Sequence, residues 1–190
     1  MTPRRIAEVV GITVVAAVLG WVLFVGLPRW YAARSARGSV VAAPTAPVTA
    51  GRKIKVRLFY VSEDGTRLVG VDREVPFGEG MDQAREIITA QVAPVIEPLA
   101  SAIPPGTTLR SLFITAHGEA YVDLSREVAS AHPGGTLNEI LTVYTIVNAL
   151  TANLPAVQSV QVLVDGKEVP TLAGHVDLGR PLVKNLSWVQ

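Results

Sequence analysis

The chain contains no cysteine and little charge: of its 190 residues 17% are charged, against 49% hydrophobic. The missing thiol excludes a disulfide framework, a thiolate zinc site, a cysteine nucleophile and a lipid-modified cysteine. Soluble domains carry roughly 25% charge, so 17% with a mean hydropathy of +0.36 places part of the chain in lipid. Whatever holds it to a membrane must be peptide.

Also missing is a concentration of positive charge beyond the N-terminal part. Residues 1–51 hold five Arg and one Glu, a net of +4, whereas residues 52–190 hold twelve basic and fifteen acidic side chains, a net of −3. A mildly acidic domain has no stripe for a phosphate backbone, so no nucleic-acid partner is expected.

What is present first is an uncharged run of nineteen residues, Val9 to Leu27, with Thr13 its one small polar side chain. At about 1.5 Å per residue it spans roughly 28 Å, one bilayer core. Arg4 and Arg5 precede it, and Arg29, Trp30, Tyr31, Arg34 and Arg37 follow it as interfacial anchors. A cleaved secretory signal is the rival, but its apolar core is about 7 to 15 residues and ends at a small-x-small site. The run is longer, and arginines follow it, so residues 1–34 are read as a single-pass anchor with a transmembrane helix at about 9–27. Flanking charge does not decide orientation. The short N-terminal tail, and the ability of long C-terminal domains to translocate whatever their charge, place the C-terminal domain outside the cell membrane.

Residues 35–51, with Ala43-Pro44-Thr45-Ala46-Pro47, have no helical or strand period and read as an extended linker. Residues 52–190 are enough for one domain with its own core. In Lys53 to Tyr60, Ile54, Val56, Leu58 and Tyr60 alternate with Lys53, Lys55 and Arg57, the period of a half-buried strand. Glu63-Asp64-Gly65 supplies a turn and Leu68 to Val75 a return strand. Two more hairpins follow: Leu109–Thr115 with Glu119–Leu124, and Val160–Val164 with Lys167–Leu172 around Asp165-Gly166.

Met81, Ala84, Ile87, Ile88 and Val92 share one helical face that ends before Pro94. Thr136 and Glu139 have capping-box spacing ahead of Leu137, Ile140, Leu141, Tyr144 and Val147. A second stripe of Val143, Ile146 and Leu150 makes this helix apolar almost all round, hence central and contacted on two sides. Pro155 ends it, and Ala93 to Pro105 is an irregular connection. The predicted fold is α+β: a mixed, mainly antiparallel sheet of hairpins with two helices packed on one face, preceded by a single transmembrane helix.

Leu58-Phe59-Tyr60, Ile103-Pro104-Pro105-Gly106-Thr107, Tyr121-Val122-Asp123-Leu124-Ser125, Ile146-Val147-Asn148-Ala149-Leu150-Thr151, Val160 to Lys167 and Gly174-His175-Val176-Asp177-Leu178 occur in that order along the chain. Together they are similar to the GerMN domain of GerM-like sporulation and spore-germination envelope proteins. The resemblance covers nearly all of residues 52–184. It implies a ring-building-motif-like fold and a membrane-tethered, extracytoplasmic, non-enzymatic interaction or assembly domain. The implied partners are a protein of an envelope complex, peptidoglycan, or a second copy. Many relatives are lipoproteins; this chain has a helix where they have a lipidated cysteine. It holds one copy of the domain where some relatives hold two, which weakens transfer of a ring or scaffold role. No catalytic residues, cofactor or metal come with the family.

The residues agree. His117, His132 and His175 lack metal-ligand spacing and read as surface or capping groups. There is no Gly-x-Ser-x-Gly elbow and no phosphate loop; Gly134-Gly135 reads as ordinary helix entry rather than an anion site. Asp123 and Asp177 are the alternative, a peptidoglycan-directed hydrolase with paired carboxylates about 5 to 9.5 Å apart, against which each reads as a turn or helix cap. Asn148, inside an apolar helix, reads as bonded to neighbouring backbone. A small-ligand sensor would need a deep apolar pocket lined by Tyr60, Tyr121 or Tyr144. The best candidate contact surface is the stripe Lys53, Lys55 and Arg57, which at a sheet edge could also pair with another chain.

Overall fold

The period-two pattern that opens the domain becomes strand β1, Lys53–Val61, in the computed structural model. The structure describes residues 51–190 and the single residue Trp21. The expected transmembrane helix and all but the last residue of the linker lie outside the described residues, among which no helix is long and apolar enough to cross a membrane.

β1 pairs antiparallel with β2, Leu68–Pro76, Lys53 opposite Pro76 and Val61 opposite Leu68. Val56, Leu58 and Tyr60 are buried, as the alternation requires, and so is Phe59 on the other face, so the charged face ends at Arg57. In the turn, the Asp64 carboxylate accepts bonds from the Ser62 hydroxyl and from both the N–H and hydroxyl of Thr66. Helix α1, Met81–Val92, buries Ala84, Ile87, Ile88 and Gln91, and stops at Ala93, whose extended backbone is imposed by Pro94.

β3, Leu109–Ile114, and β4, Glu119–Leu124, form the second hairpin, with a bulge between Leu109 and Ser111. Beyond β4 the chain makes a short helix α2, Glu127–Ser130, that the sequence did not announce, and then α3, Thr136–Asn153. β5, Ser159–Val164, returns parallel to β4, as a crossover through a helix allows. Gly118 joins hairpin tip to crossover: its carbonyl accepts from Gln158, and a Cβ there would sit 2.5 Å from the Ala156 oxygen, so no larger residue fits.

Two expectations need correction. The third hairpin is cut short: β6 is only Lys167–Glu168, and the remaining edge of β5 is taken by β7, Leu182–Val183. Pro170 has no N–H to donate, and the N–H groups of Leu172, Ala173 and His175 turn to the Glu139 carboxylate instead of to a strand. Nor is there one sheet with helices on one face. β1 and β2 form a sheet of their own, while β3 to β7 form another. α1 touches β1, β2 and β3, and α3 touches α1, β1, β5 and β7, so both helices meet strands of both sheets. The run Thr145–Thr151 of α3 is buried throughout, which is what its all-round apolar pattern predicted. Ala50–Gln190 cluster as one compact unit.

Candidate functional site

The basic stripe lies on the solvent face of the β1–β2 ribbon, where the alternation put it. Its charge is only partly free. The Arg57 Nε donates to Asp72 at 3.2 Å, and the Lys53 ammonium lies 4.0 Å from Glu74. Lys55 makes no ion pair among the described residues. The stem of Arg57 lies across Gly70, where an added Cβ would come within 2.8 Å of its Cδ.

The outer edge of β1 is mostly covered, and not by a strand. Because Ser62 and Arg52 bond the return strand, the odd-numbered residues of β1 present their N–H and C=O groups to the other side. Asn153 at the end of α3 accepts from Arg57 N–H at 2.7 Å and donates to its carbonyl at 2.8 Å. Gln91 at the end of α1 does the same for Phe59 at 2.9 and 2.8 Å, and Val61 N–H reaches the Ala100 carbonyl. Each amide supplies one donor and one acceptor, the complement of a strand residue. Among the described residues, edge pairing by β1 is therefore closed from Arg57 onward and open at Lys55. Asn148 uses the same device on the C-terminal segment, holding Asn185 N–H and carbonyl at 3.0 and 2.8 Å; it bonds backbone, as its place in an apolar helix suggested.

Between these two clasped segments runs an open groove of about 390 Å³, lined by Lys55, Arg57, Asp72, Asn153, Lys184 and Leu186. A larger open groove, about 520 Å³, has Ile140, Tyr144, Leu182 and Trp188 with His175, Asp177 and Arg180. Of Tyr60, Tyr121 and Tyr144, Tyr144 lines this groove and Tyr60 lines another beside Pro94 to Leu99, while Tyr121 donates to Glu119 at 3.2 Å. The Glu119 carboxylate beside that phenol raises its pKa.

Glu139 is the side chain whose role differs most from expectation. Gly135, not Thr136, is the N-cap of α3, and no side chain caps it, so the capping box does not form. Glu139 is fully buried and accepts from the N–H groups of Leu172, Ala173 and His175 at 2.8 to 3.0 Å and from His175 Nδ1 at 3.2 Å. Burial works to raise its pKa, but the N–H groups of Ala173, His175 and Leu172 outweigh burial and hold the carboxyl below its ordinary value.

Asp123 and Asp177 stand in different settings. Asp123 is buried on β4, bonded by Gly166 N–H at 2.7 Å and ion-paired with Arg110, whose Nε lies 3.2 Å away; Arg110 also grips Asp165. Asp177 is exposed, accepts from Gly179 N–H at 2.9 Å and faces Arg180 at 3.6 Å. His132 pins its own loop: Nδ1 accepts from Gly134 N–H, and Nε2 meets the Thr142 hydroxyl, which donates to the Ala102 carbonyl. His117 is exposed at a hairpin tip. Among the described residues no cluster of His, Cys, Asp and Glu is arranged to hold a metal ion.

Sequence reasoning missed Gln91, Asn153, Lys184 and Leu186. Gln91 had a signal, an amide continuing the buried row of Ala84, Ile87 and Ile88. Glu139 had one too, heading the buried row of Val143, Ile146 and Leu150. Lys184 and Leu186 had none, since only the fold-back of the C-terminal segment brings them to β1.

A family model described as Germane, sporulation and spore germination, matches residues 57–170. No curated protein matches the chain. Among solved structures, a candidate lipoprotein from Clostridium perfringens is 24% identical with a TM-score of 0.50, over 73% of this chain and 92% of that one. The tandem GerMN domains of the sporulation protein GerM from Bacillus subtilis are 20% identical with a TM-score of 0.54, over 79% of this chain and 51% of that one. At these identities the likeness is one of fold.

Proposed function

The chain belongs to the Germane family of sporulation and spore-germination proteins, and from that premise we propose that it is a non-enzymatic interaction or assembly domain of the bacterial envelope. It acts in sporulation, germination or a cell-wall process. It is held by the apolar run at residues 9–27, with residues 52–190 outside the cytoplasmic membrane. The observation that carries the reading is the engagement of the buried carboxylates. Asp123 holds the Gly166 N–H and pairs with Arg110, and Glu139 holds three backbone N–H groups. A carboxylate so occupied has little capacity left to move a proton for a substrate. The lipoprotein name of the Clostridium perfringens neighbour is in keeping with an envelope location.

The test uses the full chain in its host and the fragment from Arg52. The full chain is expected in the membrane fraction, with the C-terminal domain open to protease from outside. The fragment is expected to recover a membrane-complex protein or peptidoglycan from envelope extracts and to leave purified cell wall uncleaved. Recovery of neither, or release of muropeptides, overturns the reading.

A further inference from the structure

Residues 52–190 are acidic overall, with fifteen acidic against twelve basic side chains. Yet the groove between β1 and the C-terminal segment is lined by three cations, Lys55, Arg57 and Lys184, and one anion, Asp72. Asp72 is taken by Arg57. The charge left to face solvent is that of Lys55 and Lys184, neither of which has a carboxylate in ion-pair range among the described residues. Beside them Leu186 is 50% exposed, an apolar side chain in the wall of a charged groove.

The groove is built to keep its shape. Asn153 fixes one wall through Arg57, Asn148 fixes the other through Asn185, and both amides come from the same helix. Where that cover ends, β1 still has an edge: the N–H and C=O of Lys55 point outward, and no group among the described residues takes them. Cations, an apolar contact and an unpaired strand edge thus converge within one groove.

We propose that this groove receives an extended acidic segment of a partner protein with an apolar residue beside its carboxylates. The segment's backbone bonds β1 at Lys55, its carboxylates meet Lys55 and Lys184, and its apolar side chain covers Leu186. This rests on the interaction-domain reading above and names the chemistry of its partner. A purely anionic polymer fits less well, because it leaves both Leu186 and the strand edge unused. The lysines also complement the C-terminal end of α3, which has no basic residue in its own last turn. A role confined to that would appear in stability alone.

The test uses the full chain in non-ionic detergent and a fluorescein-labelled peptide of alternating glutamate and valine with a central leucine, followed by anisotropy. Saturable binding is expected. The double change Lys55→Glu and Lys184→Glu should weaken it at least tenfold, and Leu186→Ser severalfold, with melting temperatures unchanged. Sodium polyphosphate should compete poorly. Absence of saturable binding, binding indifferent to the charge reversal, or a loss that tracks melting temperature overturns the proposal. So does polyphosphate binding as tight as the peptide's together with no effect of Leu186→Ser, which assigns the groove to an anionic polymer. Wild-type and charge-reversed chains that recover the same envelope partner equally well overturn the groove and leave the interaction-domain reading standing. Recovery by neither removes that reading itself.

Discussion

The two ends of α3 perform the same task with different chemistry. Near its start, the Glu139 carboxylate holds three backbone N–H groups of residues 172–175; in its second half, the neutral amides of Asn148 and Asn153 hold Asn185 and Arg57. Each holds a segment whose backbone has no neighbouring strand on that side. The carboxylate satisfies donors only, and more of them per side chain, but only while ionised. An amide satisfies one donor and one acceptor at any pH. The carboxylate end should therefore be the stronger of the two and also the pH-sensitive one.

Removing Glu139 is the most direct way to break that contrast. Glu139→Ala leaves the Leu172, Ala173 and His175 N–H groups without their acceptor. A hydrogen bond to a charged group contributes roughly 1.5–3 kcal/mol, and less where water can reach the donor, as at partly buried Ala173 and exposed His175, so the loss should be about 3 kcal/mol by urea unfolding. A loss below about 1 kcal/mol would mean that water replaces the carboxylate. Gln91 is the corresponding test of an amide clasp. Gln91→Ala orphans both groups of Phe59 and is expected to cost about 2–4 kcal/mol, because Gln91 is fully buried and water cannot easily replace it.

How much of this could be read from the chain depends on the sequence distance of each partner. The β1–β2 hairpin and the central place of α3 follow from local periodicity, and both form as predicted. The basic stripe was legible for the same reason. The third hairpin was misread because what stops it is a carboxylate 33 residues earlier in the chain, which competes for Leu172 N–H. Glu139 looked like a helix cap because the spacing rule sees only its own helix. The groove was half legible: the Lys55 wall has a period, while the Lys184 and Leu186 wall is brought there by Asn148, 37 residues before Asn185. Local rules predicted the elements, and long-range clasps decided which edges stayed open.

Acid sharpens the contrast with a smaller effect. The folded-state pKa of Glu139 lies below its unfolded value, so above the unfolded value the group contributes its full stability. As pH falls through the depressed folded value, that stability is lost. Unfolding free energy measured from neutral pH down into the carboxylate range should therefore fall. Glu139→Gln should start lower and fall less, while Asn148→Ala and Gln91→Ala should retain the wild-type slope. An unchanged slope in Glu139→Gln would assign the acid loss to other carboxylates.

The smallest expected effect has the opposite sign. Thr145 lies on the same helix between Glu139 and Asn148 and is fully buried, yet its hydroxyl has no partner among the described residues. Glu139, Asn148 and Asn153 repay their desolvation by holding backbone, whereas this hydroxyl has been taken from water without a bond in return. Thr145→Val keeps nearly the same shape, removes the orphaned group, and leaves every clasp in place. It should stabilise the domain by about 1 kcal/mol, seen as a urea midpoint raised by roughly 0.5 M with an unchanged slope. A loss of similar size would mean that the hydroxyl is bonded in solution. Polar groups on α3 would then be uniformly favourable, and burial with a backbone partner would no longer separate the clasps from the rest.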